Sequence, residues 1–159
     1  MAENRGMRSR YNLLFALLAL GVAGLTFLLS GQAGAESHRL SGEWVQMLTG
    51  FFGLRQDLLT PAQWDRLVRK TAHLTLYFLF GIGLTGAFSR ISGGVRRFLA
   101  VILLSAASAS FDEIHQLFVE TRSASVWDVL LDMAGAAAGY AVYSAAFALV
   151  RLITGKRKR

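Results

Sequence analysis

The chain of 159 residues contains no cysteine and a single proline, Pro61. Without cysteine it can form neither disulfides nor thiolate metal sites, and its redox compartment stays open. Charge is scarce as well. Charged residues make up 17% of the chain and apolar residues 53%, whereas soluble domains carry about a quarter charged residues. That balance fits an integral membrane protein, and the length allows one domain spanning residues 1–159. The net charge of +7 does not point to nucleic acid. The basic residues stand at the ends of hydrophobic segments, where cytoplasmic flanks of membrane helices are expected. No H-E-x-x-H, G-x-S-x-G or P-loop pattern is present, so no metal site or cofactor is assigned from motif.

Four long apolar stretches give the expected architecture, an all-α transmembrane four-helix bundle. The first, residues 11–30, has no charged residue and is about as long as a bilayer-spanning helix. A cleaved signal peptide is the rival reading, since Ala33-Gly34-Ala35 resembles a cleavage site. The apolar run, however, exceeds the roughly 7–15 residues of a signal h-region, so a retained anchor is expected. In the connection that follows, Leu40, Trp44, Leu48, Phe51 and Phe52 recur at helical spacing, which predicts an amphipathic interfacial segment in the first outer loop. Thr60-Pro61-Ala62-Gln63 reads as a helix start with a capping box and proline at the first helical position. The remaining spans are expected at about 70–88, 96–118 and 125–153, with the basic loop from Arg90 to Arg97 turning at Gly93-Gly94.

The charge distribution orients the bundle. With four spans, eleven of the seventeen basic residues share the side of the termini and the Arg90–Arg97 loop, and only Glu3 among the ten acids lies there. Lysine and arginine favour the cytoplasm, so both termini are expected inside and the acidic half of the bundle outside.

That outer half holds the residues that carry chemistry. Charged groups are costly at membrane depth and usually have a task there. Helical spacing aligns Arg69, His73, Tyr77 and Gly81 on one face, and Ser105, Ser108, Asp112 and His115 or Gln116 on another. Asp128, Asp132, Gly135 and Gly139 form a third stripe, in which the glycine pair permits close helix approach. Convergence of the three stripes in one pocket is the economical arrangement. Each residue also has a plainer role. His73 and Tyr77 can bridge helices by hydrogen bonds, and Arg69 and Lys70 can snorkel to the interface. Asp128 can serve the N-terminus of the last helix, and one of Asp112 and Glu113 can be a solvated charge at a helix end. Asp132, one turn deeper, is hardest to explain as structure. The Lys156-Arg157-Lys158-Arg159 tail suits anionic lipid, and Trp44, Trp64 and Trp127 suit an interfacial belt.

The ordered set R-K-x-A-H-L-x-x-Y (Arg69 to Tyr77), D-E-x-H-Q (Asp112 to Gln116), R-S-A-S-x-x-D (Arg122 to Asp128) and G-A-A-A-G (Gly135 to Gly139) resembles the VanZ-like membrane protein family. The similarity runs from the Ser30-Gly-Gln end of the first helix to the last helix. It implies a bacterial envelope protein of the cytoplasmic membrane. The family is named after an accessory protein of glycopeptide-resistance clusters associated with teicoplanin resistance.

Three functions compete. In the first, Arg69, Lys70 and Arg122 receive a phosphate or carboxylate of an envelope lipid or wall precursor, within a pocket completed by His73, Tyr77, Asp112, Glu113, His115, Gln116, Ser125, Asp128 and Asp132. In the second, Asp112, Glu113 and His115 act as catalytic acid and base groups, or Asp112 and His115 join Asp128 or His73 around a metal. In the third, the polar stripes only lock the helices together. Membrane lipids are the expected partners in each case, and oligomeric state is not legible.

Overall fold

The computed structural model of the chain describes residues 2–32, 34–53, 55–119 and 123–156. These are helical almost throughout: α1 (Ala2–Ser30), α2 (Gly34–Phe52), α3 (Pro61–Ala87), α4 (Gly94–Gln116) and α5 (Val126–Lys156), with a short 3-10 turn at Gln56–Leu58. No strand occurs among the described residues.

Three stretches are long and apolar enough to cross a membrane, Ser9–Ser30, Gly94–Gln116 and Val126–Thr154. The fourth expected span, in α3, does not reach that standard among the described residues. Its first half carries Asp65, Arg66, Arg69, Lys70 and His73, which offset the apolar run that follows. The outer surface agrees with a lipid setting: Leu13, Leu17, Leu28, Leu103, Phe111, Val142 and Leu149 are all exposed.

α3 is the hub. It packs against α1, α2, α4 and α5, and α4 packs in turn on α5. Its start has the expected capping box. The Thr60 side chain accepts from the Gln63 amide, and the Gln63 side chain accepts from the Thr60 amide. Between α3 and α5 the backbones nearly touch. A Cβ on Gly81 would collide with the Ala136 backbone and one on Gly139 with the Phe78 carbonyl, both closer than the 3.0 Å that real side chains respect. The small-residue spacing thus places the two helices close enough for short side chains to meet across them. Ala19, Val22, Tyr77, Phe80, Leu84, Val101 and Ala109 form the apolar core.

The two ends of the bundle differ. At one end the turn between α3 and α4 is pinned by polar contacts. Asn12 donates to the Ala87 carbonyl (3.0 Å), Tyr140 to the Gly94 carbonyl (2.9 Å) and Arg97 to the Ile91 carbonyl (3.0 Å). Gly93, at φ 89°, adopts the left-handed conformation that lets the chain re-enter a helix at once. At the other end the last turn of α1, the start of α3, the end of α4 and the start of α5 meet around ionisable groups. α2 lies against α3 beside them, where His38 approaches Asp65 at 3.0 Å. Trp44 and Phe51 on α2 point outward.

Candidate functional site

Four helices position this site. On α3, Arg66, Arg69, Lys70 and His73 recur every three or four residues and so share one face. α4 contributes Asp112, Glu113 and Gln116 from its last two turns, and α5 contributes Asp128 and Asp132 from its first two. Between them lies a cleft of about 350 Å³, lined by Arg66, Arg69, Lys70, His73, Glu113, Gln116, Ser123, Asp128, Leu131 and Asp132.

Asp112 and Glu113, though adjacent, are both buried, at 4% and 5% exposure. The plainer role, in which one of them is a solvated charge at a helix end, does not apply, because the end of α4 is wedged between two neighbours and each carboxylate turns to a different one. Asp112 faces α1 and accepts from the Ser30 hydroxyl at 2.7 Å and from Gln116 at 3.1 Å. Glu113 faces α5 and accepts from the Ser125 amide at 2.6 Å. Ser125 opens α5, since its carbonyl takes the amides of Asp128 and Val129. Glu113 therefore fixes where α5 begins.

Two of the rim cations, Lys70 and Arg69, are already matched. Lys70 donates to Asp128 at 2.6 Å, and Arg69 meets Asp65 at 2.9 Å. Asp128 also stands in the first turn of α5, where the helix dipole favours a carboxylate. Both Lys70 and Asp128 are a third or more exposed, so water screens the pair. Lys70→Met or Asp128→Asn is expected to change unfolding free energy by less than about 1 kcal/mol, as read by thermal unfolding in detergent.

Below the rim the balance reverses. Asp132 is 1% exposed, and neither of its oxygens has a hydrogen-bond partner. Its nearest basic group is His73, with Nδ1 at 3.5 Å, beyond good hydrogen-bond length. One turn further in, Tyr77 reaches Ser108 at 3.5 Å and otherwise belongs to the core.

The structure thus gathers Arg69, Lys70, His73, Glu113, Gln116, Asp128 and Asp132 in one cleft. Tyr77, Asp112 and Ser125 support it from beneath and beside it. His115 points elsewhere. Its ring lies 4.2 Å from the Phe27 ring of α1, and it does not line the cleft. Arg122 falls outside the described residues. Among the described residues no three His, Asp or Glu side chains are grouped to hold a metal ion. Sequence reading missed Arg66, whose place one turn before Lys70 was the available signal. It also passed over Ser30 and Ser123, although both stand in the stretches that carry the family resemblance, and it missed Asp65 and Leu131, which carry no signal.

Fold and cleft together define a small helical membrane protein with an ionisable site at one end of the bundle. The VanZ/LLP1 family model matches residues 15–150, and the chain belongs to that family. No curated protein and no solved structure matches it.

Proposed function

We propose that the cleft recognises the polar group of an envelope lipid or lipid-linked wall precursor at the outer face of the bacterial cytoplasmic membrane. Asp132 carries this reading. A buried carboxyl group lining a cleft, with both oxygens unpartnered, is costly as structure and useful for a ligand that supplies donors. In this reading α3 crosses as a fourth span, helped by its apolar second half, and both termini are cytoplasmic. Family membership supports the envelope setting, and the resistance clusters behind the family's name make a wall precursor one candidate ligand.

The absence of cysteine makes the topology easy to test. Ser123→Cys is expected to react in intact cells with a membrane-impermeant thiol reagent, and Ser92→Cys only after the cells are opened. The reverse pattern, with Ser92→Cys labelled in intact cells and Ser123→Cys only after opening, would reject the four-span arrangement with cytoplasmic termini. For the ligand, a photoreactive side chain in place of Leu131, which lines the cleft, is expected to capture one predominant lipid species. The same group at lipid-exposed Leu103 should capture the bulk mixture. Identical adducts at both positions would contradict the proposal.

A further inference from the structure

The cleft is bipolar, and its unmet demand is for hydrogen-bond donors. Each rim cation that the described residues pair has a carboxylate of its own, Lys70 with Asp128 and Arg69 with Asp65. In the floor, Asp132 offers two oxygens without hydrogen-bond partners, and the basic group beside it is His73. Arg66 stands at the rim with its side chain exposed. A simple phosphate would satisfy the rim and leave Asp132 as it is.

We infer that the cleft takes a zwitterionic headgroup, its primary ammonium seated against Asp132 and its phosphate at Arg66 and Lys70. This rests on the recognition reading above and names the chemical class of the ligand. A primary ammonium has three donors, enough to meet both Asp132 oxygens with one to spare for Glu113 or the His73 ring. A trimethylated amine has none and is too bulky to approach the carboxyl oxygens as closely. A glycerol headgroup offers two hydroxyl donors but no positive charge. The selectivity order is therefore primary amine first, with the choline and glycerol headgroups well behind. The approach path fits this polarity, because the exposed cations stand at the mouth and the fully buried acid lies at the floor. The same chemistry occurs in aminated phospholipids and in amine-bearing, lipid-linked wall precursors.

Native mass spectrometry of the full chain in nanodiscs of defined composition tests the inference. One set of discs mixes phosphatidylethanolamine, phosphatidylcholine and phosphatidylglycerol in equal amounts, and a second adds a lipid-linked wall precursor. The expected result is at least tenfold preferential retention of phosphatidylethanolamine, or of the precursor where it is present, over the other two. Which of the two is retained decides between the sources. Asp132→Asn is expected to abolish the preference while the protein stays folded by circular dichroism, and Lys70→Gln to weaken retention without changing its order. Equal or better retention of phosphatidylglycerol, lost in Lys70→Gln, would overturn the ammonium assignment and leave headgroup recognition standing. A wild-type protein that retains no headgroup from either set would overturn both.

Discussion

Gly139→Ala is expected to reduce folded protein sharply, although it adds a single methyl group to a membrane helix. That methyl would point at the Phe78 carbonyl and the Ile82 amide of α3, both backbone atoms that no rotamer change can move aside. The helices must separate, and overpacking of this kind costs about 1–3 kcal/mol or more. Separation also moves Asp132 and His73 apart, because both lie on the same α3–α5 seam two turns away. Gly24→Ala is the matching control, since nothing lies within 4 Å of a Cβ there. It is expected to leave the melting temperature unchanged or to raise it slightly, as alanine is the better helix former. Thermal unfolding in detergent distinguishes the two. Equal melting temperatures would mean that the close α3–α5 approach does not hold in the membrane.

Asp132→Asn is expected to do the opposite, leaving stability intact or raising it while removing ligand capture by tenfold or more. A buried carboxylate without a hydrogen-bonded partner is a burden on the fold. The amide has the same shape and carries no charge. Ser30→Ala supplies the contrast. It removes the hydroxyl that donates to Asp112 at 2.7 Å in a buried setting. Leaving that acceptor short is expected to cost about 1–3 kcal/mol. If the ionisable residues merely lock the helices together, the two substitutions should destabilise alike. Opposite signs identify Asp132 as kept for a ligand and Ser30 as part of the scaffold.

Much of this layout is legible in the chain, for identifiable reasons. Long apolar runs announce α1, α4 and α5, and Thr60 with Gln63 announces the start of α3, because caps and hydrophobic periodicity are local signals. Spacing also puts Arg69 with His73, and Asp128 with Asp132, on common faces. It does not tell which face meets which. Ser30 finds Asp112 across 82 positions of sequence, and nothing near Ser30 marks it as a partner. The burial of both Asp112 and Glu113 depends on α1 and α5 flanking the end of α4, a property of the assembled bundle. His115 shares a face with Asp112 on paper and in the fold, but that face turns to α1, to Ser30 and the Phe27 ring, and not into the cleft. The number of spans is hard for the same reason. α3 mixes a charged half with an apolar half, and its place in the membrane depends on the helices around it.

The most direct test of the central claim is native mass spectrometry of the protein extracted with its own membrane lipids, wild type beside the His73→Ala/Asp112→Asn double variant. The account predicts one lipid or lipid-linked species retained by the wild type in stoichiometric amount and absent from the variant, with helical content equal in the two. A wild-type protein that carries no specific species, or one that the folded variant keeps equally well, would contradict it.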